Sequence, residues 1–205
     1  MSAPSSAEPL RILVVGVGGQ GVLTIARFLG EAALSVELDV RLGQLHGMSQ
    51  RGGSVEATVL LGPGSSSFIG PGEADVVLGL EPLEALRARP RMSRATRVVV
   101  NLGRVVPYPL AMQGRPYPPL EGVLAEIRDV CGRLVEIDGP EVCADVGSAR
   151  ALNVVMLGAL AGLSVLPFDA DALRQAIADR SPARLAATNR KAFDLGLEAV
   201  QQATA

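Results

Sequence analysis

The sequence predicts an α/β protein: a doubly wound, mostly parallel sheet with helices on both faces. Three observations carry that prediction. Strand-like and helix-like segments alternate along the chain. Three of the strand segments, ILVV, ADVVLGL and RVVVN, are almost wholly apolar. The first of them runs directly into a glycine turn and an amphipathic helix. Apolar strands belong in a sheet covered on both faces, and alternating strands and helices make that sheet parallel. The layout is Rossmann-like, at least in its first half.

The elements follow in order. Residues 12–15 (ILVV) are the first buried strand. In the next segment Val22, Ile25, Ala26, Leu29 and Ala33 recur at helical spacing, with Thr24, Arg27 and Glu31 on another face. Residues 38–43 (LDVRLG) form a second strand, and the glycine-rich, polar QLHGMSQRGG after it reads as a loop. In SVEATVLLG, Val55, Ala57 and Val59 alternate with Glu56 and Thr58, which predicts a half-exposed strand near a sheet edge. ADVVLGL and RVVVN are buried strands around a helix that starts at EPLEALRAR, where Pro82 fits the first turn. Residues 102–120 hold too many prolines for a helix or a central strand and form an excursion with a short edge strand. EGVLAEIRDV is a helix and GRLVEID a strand. SARALNVVMLGALAGL is a central helix, apolar nearly all round, and two amphipathic helices close the chain.

Bulk properties exclude several functions. At 205 residues and 21.2 kDa, one domain over residues 10–205 is expected, preceded by a disordered polar leader over 1–9. That leader lacks the basic and apolar regions of a signal peptide, which points to the cytoplasm. The apolar stretch at 154–168 falls short of the roughly 20 residues of a membrane span. The net charge is −2, the basic residues are scattered, and aromatics are only 3%, so nucleic acid is not an expected partner. Cys131 and Cys143, with His46 far upstream, make neither a zinc site nor an iron–sulfur site, and no metal ligand set is expected here. Both cysteines read as buried thiols. A mean hydropathy of +0.32 fits either apolar surface covered by a partner or a well-filled core.

The glycine turn GVGGQG places Gly16, Gly18 and Gly21 at the spacing of a dinucleotide fingerprint. Gly16 allows the sharp exit from the strand, Gly18 and Gly19 allow close approach, and Gly21 allows helix–sheet packing. Amides of such a turn favour an anion. The fingerprint also needs a carboxylate at the end of the second strand, to hold the ribose. Here Asp39 sits at the beginning of that strand, and its exit carries Gly43, Gln44, Leu45 and His46. A free-standing NAD(P)- or FAD-binding reductase is therefore the alternative reading, not the main one.

The loop after the second strand leaves on the same edge as the turn. Gln20, His46, Ser49, Gln50 and Arg51 are therefore expected to converge at the edge where open α/β sheets bind ligands. GVGGQGV together with HGMSQRGGSV resembles the gamma-type domain of 2-oxoacid:ferredoxin oxidoreductases, and the indolepyruvate type most of all. The likeness extends to LEPLEALR, ALNVVMLGALAGL and NRKAFDLGLEA. The resemblance implies a small subunit that is silent on its own. A large alpha subunit would carry thiamine diphosphate, magnesium and iron–sulfur clusters. It further implies oxidative decarboxylation of an aryl 2-oxoacid, with coenzyme A as cosubstrate and ferredoxin as acceptor through the complex. A homodimer within a heterotetramer is compatible with it.

On that reading Gly16, Gly18, Gly19, Gln20, Gly21, His46, Ser49, Gln50 and Arg51 face the partner's active site or its cofactor. Met48, Gly52 and Gly53 lie at the interface. Two roles stand for Arg51, an interface ion pair or a hold on a phosphate. Glu81 and Glu84 read as first-turn acids stabilised by their helix dipole. Asn153 and Asn189 read as buried amides that satisfy a loop backbone.

Overall fold

The computed structural model describes residues 8–46, 53–64, 66–106 and 112–202. Among the described residues, six strands form one sheet in the order β2-β3-β1-β4-β5-β6. They are β1 (Leu10–Val17), β2 (Val40–His46), β3 (Ser54–Leu61), β4 (Val76–Gly79), β5 (Arg97–Asn101) and β6 (Arg133–Ile137). β1, β4, β5 and β6 pair in parallel, whereas β3 is antiparallel to both β1 and β2. Reversal through β3 leaves β2 pointing the same way as β1. Five strands therefore end on one edge of the sheet, where β3 begins.

Helices cover both faces, as the apolar strands require. Among the described residues these include α1 (Val22–Ser35), α2 (Pro82–Arg87), α3 (Leu120–Arg128), α4 (Gly139–Val146), α5 (Leu152–Gly162), α6 (Ala170–Arg180) and α7 (Ala186–Gln202). Ile12, Val14, Val76, Leu78, Val99 and Val135 point to one face, into a core shared with α1 and α4–α7. Leu13, Val15, Val77, Val98 and Val100 point to the other, against α2 and α3. Period-2 alternation in each strand thus feeds two cores. Among the described residues, no helix is long and apolar enough to cross a membrane.

Structure and sequence differ at several places. β3 lies near the edge as expected, second from it and folded back between β1 and β2, but it is mostly buried, not half-exposed. The polar side of β3 faces an ion pair from Arg91 to Glu56 and the Ser67 side chain near Thr58, in place of open solvent. The second strand runs on to His46, so Gln44, Leu45 and His46 belong to a strand. Their backbone is drawn into a ladder opposite Ala57, Glu56 and Val55. Finally, α4 has no counterpart in the sequence reading. Asp138 caps it by accepting from the Glu141 N–H at 3.1 Å, Pro140 sits in its first turn, and Gly147 closes it at φ 79°. The described part of the excursion, residues 102–106 and 112–119, contains no strand.

Candidate functional site

The glycine turn leaves β1 at the edge where the parallel strands end. Gly19 (φ +102°) and Gly21 (φ +90°) take a backbone conformation that side chains resist. A side chain at Gly16 would meet Gln20 Oε1 at 2.9 Å and Leu80 Cβ at 3.0 Å. At Gly21 it would meet Asn153 at 3.3 Å, from the first turn of α5. Space beside Gly19 is open. The turn is thus closed toward the protein and bare toward the outside.

Its amides are partly spent. Gly18 N–H donates to the Gly53 carbonyl at 2.8 Å and Gln20 N–H to the Val17 carbonyl at 3.0 Å. The first of these bonds ties the turn to Gly53, just before β3 begins. His46 ends β2 on this edge. Met48, Ser49, Gln50, Arg51 and Gly52 lie outside the described residues. Gly53 is placed at the turn by its carbonyl. A dinucleotide fold would put a parallel strand with a terminal acid beside β1. Here antiparallel β3 takes that place, with Val55 opposite Gly16 and Ser54 opposite Val17.

Gln20 turns inward. Its Oε1 accepts from Val17 N–H at 2.7 Å and its Nε2 donates to the Leu80 carbonyl at 3.1 Å. That carbonyl also accepts from Asn101 Nδ2 at 2.8 Å. Asn101, 1% exposed at the end of β5, uses its Oδ1 to accept from Gly103 N–H (3.1 Å) and Gly139 N–H (3.2 Å). Next to this chain of amides is a cleft of about 560 Å³, lined by Gln20, Asn101, Arg104, Val105, Cys143 and Ser148 among others. A second, mostly apolar hollow of about 400 Å³ lies outside the turn, between Gly19, Leu23, Thr24 and Val55.

Two carboxylates lie just behind the edge. Glu81, fully buried, caps α2 by accepting from Glu84 N–H at 3.1 Å. Its other oxygen accepts from Val105 N–H (3.3 Å) and the Tyr117 hydroxyl (2.6 Å). Glu84 is the expected first-turn acid, whereas Glu81 stands one position before the helix as its cap and also holds Val105 and Tyr117 of the excursion. Burial first, then the Glu81 carboxylate, pushes the Tyr117 phenol well above its ordinary pKa, so it stays a donor. Glu84, 3% exposed, takes Arg87 on one oxygen at 2.8 Å and leaves Oε2 without a hydrogen bond. Burial raises its pKa, Ser54 and Arg87 oppose the shift, and Glu81 and Glu56 add to it. A raised folded-state pKa means that Glu84 stabilises the fold below its unfolded pKa, and that this is lost as pH rises through the folded value. Glu84→Gln is therefore expected to raise Tm at pH 8 and to change it little at pH 4.5. Thermal melts across that range check this; a gain independent of pH would refute it.

Cys131 and Cys143 are buried free thiols with pKa values raised by burial. Among the described residues, no group of three His, Cys, Asp or Glu side chains is set to hold a metal ion. The two asparagines depart from expectation. Asn189 Nδ2 donates to the Ser181 hydroxyl at 2.7 Å, and Asn153 accepts from its neighbour Val154 N–H while packing on Gly21. Sequence reasoning missed Asn101, Tyr117 and the second task of Glu81. A polar residue closing the apolar RVVVN, on the edge where ligands gather, was the available signal for Asn101.

Comparison with known proteins decides the family. Residues 11–199 match the family model described as pyruvate ferredoxin/flavodoxin oxidoreductase. The chain belongs to that family. Its curated relatives include indolepyruvate oxidoreductase subunit IorB of Methanothermobacter thermautotrophicus, 38% identical over 191 residues, which are 93% of this chain and 97% of that one. Among solved structures, pyruvate oxidoreductase subunit PORC of Thermotoga maritima superposes with a TM-score of 0.71 at 19% identity, covering 94% of this chain and 97% of that one. The 2-oxoglutarate:ferredoxin oxidoreductase of Magnetococcus marinus, solved with 2-oxoglutarate, coenzyme A and succinyl-CoA, gives a TM-score of 0.75 at 20% identity. There the match covers 96% of this chain but 32% of the other. The protein is thus a small subunit of an oxoacid:ferredoxin oxidoreductase and works with a larger catalytic partner. The same fold thus occurs both as a separate chain and as part of a longer one.

Proposed function

We propose that this chain completes the active site of a cytoplasmic oxidoreductase specific for aryl 2-oxoacids such as indolepyruvate. The observation that carries the reading is the near end-to-end match to an IorB subunit, joined to a bare glycine turn on the ligand edge of the sheet. The large subunit would hold thiamine diphosphate, magnesium and the iron–sulfur clusters. Carboxylate would leave as carbon dioxide, the acyl group would pass to the coenzyme A thiol, and the electron pair with the released proton would go to ferredoxin and solvent. This chain's part is to seat the turn, with Gly16, Gly18, Gly19 and Gly21, against that partner. On this reading the loop with His46, Met48, Ser49, Gln50, Arg51, Gly52 and Gly53 would face the partner as well, with Arg51 in an interface ion pair in preference to a phosphate hold.

Exposed apolar residues support a covered surface. Leu23 is 37% exposed beside the turn, and Leu42 and Leu45 are 46% and 55% exposed on edge strand β2. Co-expression with a large subunit of the indolepyruvate oxidoreductase type tests the reading. The pair is expected to co-purify and to reduce viologen dye with indolepyruvate and coenzyme A under anaerobic conditions, while each chain alone is inactive. Failure to associate would refute it. Leu23→Arg should weaken association by about tenfold or more while leaving Tm and circular dichroism unchanged. Unchanged affinity would remove the turn from the interface.

A further inference from the structure

We infer that Asn101 is a positioning residue for the reaction, and that it acts through the Leu80 carbonyl on Gln20 and so on the glycine turn. The inference rests on the proposed function, since the turn must matter for its placement to matter.

The ends of four parallel strands meet at this edge, and hydrogen bonds through two side-chain amides join them. From β1, Val17 N–H is held by Gln20 Oε1 at 2.7 Å. Leu80, just past β4, offers one carbonyl to both amides, to Gln20 at 3.1 Å and to Asn101 at 2.8 Å. From β5, Asn101 reaches on to Gly139, where α4 begins after β6, and to Gly103, where the excursion leaves. A carbonyl has two lone pairs, and here both are used, one for each side of the bridge. The bond from Asn101 therefore fixes where the Leu80 carbonyl points, and that direction fixes Gln20. Gly16 leaves Gln20 no slack, because Gln20 Oε1 lies 2.9 Å from where a Cβ there would stand.

Both amides also line the 560 Å³ cleft, so the bridge sets the distance between turn and cleft. Asn101 is 1% exposed, which gives it no contact of its own with a partner. Sub-ångström misplacement of groups at a reacting centre lowers turnover strongly without removing any contact to substrate.

Two variants isolate the bridge. Asn101→Asp keeps the acceptor for Gly103 and Gly139 and, when ionised, replaces the donor to Leu80 with an oxygen that repels that carbonyl. Gln20→Glu keeps the acceptor for Val17 and makes the same replacement of donor by carboxylate oxygen at the same carbonyl. Each is assembled with the wild-type large subunit, and kcat and KM are measured per assembled complex. Each single variant should lower kcat about tenfold with KM for the 2-oxoacid unchanged, and the double variant should be no worse than the poorer single. Multiplicative effects, or an unchanged kcat per complex, would overturn the inference. If Asn101→Asp does not fold, an unchanged kcat in Gln20→Glu alone also overturns it. An inactive wild-type complex would instead refute the proposed function.

Discussion

Replacing Gly158 by alanine lowers the stability of the protein by about 3 kcal/mol, whereas replacing Gly122 raises it by about 1 kcal/mol. Both glycines lie in helices, so the opposite signs come from packing. A Cβ at Gly158 would stand 2.0 Å from the Phe193 carbonyl oxygen, and one at Gly196 would stand 2.0 Å from that of Val155. α5 and α7 thus cross backbone to backbone through a reciprocal glycine pair, and the helices must part to admit a methyl group. The usual gain of roughly 1 kcal/mol for alanine over glycine in a helix cannot offset that separation. At Gly122, on α3, a Cβ meets nothing within 4 Å, so only the gain remains. Urea unfolding of the two variants checks the pair of signs. The same crossing seats Asn153 under Gly21, so Gly158→Ala should also weaken assembly with the large subunit.

Glu81→Ala is the second large effect, with an expected loss of about 3 kcal/mol. Removing this carboxylate strands the Glu84 and Val105 amides and the Tyr117 hydroxyl, all now satisfied by one buried side chain. Tyr117→Phe removes one of those bonds and should cost about 1.5 kcal/mol in the native background, but under about 0.5 kcal/mol once Glu81 is gone. Equal costs in both backgrounds would separate the two residues. Because Val105 and Arg104 line the cleft, Glu81→Ala should also speed amide exchange at 103–106, a local effect that a generally weakened protein would not show.

Much of the fold was legible because its signals are local. Unbroken apolar strands gave the two-faced parallel sheet, and the spacing of Val22, Ile25 and Leu29 gave α1. The burial of β3 was not legible, since Glu56 and Thr58 look solvent-facing until Arg91 and Ser67 are brought over them from distant segments. α4 was legible and unread: Asp138, Pro140, Glu141 and Gly147 spell a capped helix within ten residues. At the site, the glycine turn and its edge could be read from spacing alone. The inward turn of Gln20 and the reach of Asn101 depend on Leu80, sixty and twenty-one residues away respectively, and periodicity carries no such information.

The proposed function requires one edge of the sheet to be the face this chain presents to its partner. Hydrogen exchange of the chain, alone and in complex with the large subunit, reads that directly. Protection is expected at 17–24 and 53–55, and at the cleft margins 103–106 and 147–149. The far edge, around Asp75 and Arg97, should stay unchanged. Protection confined to that far edge, or to α6 and α7, would contradict the account.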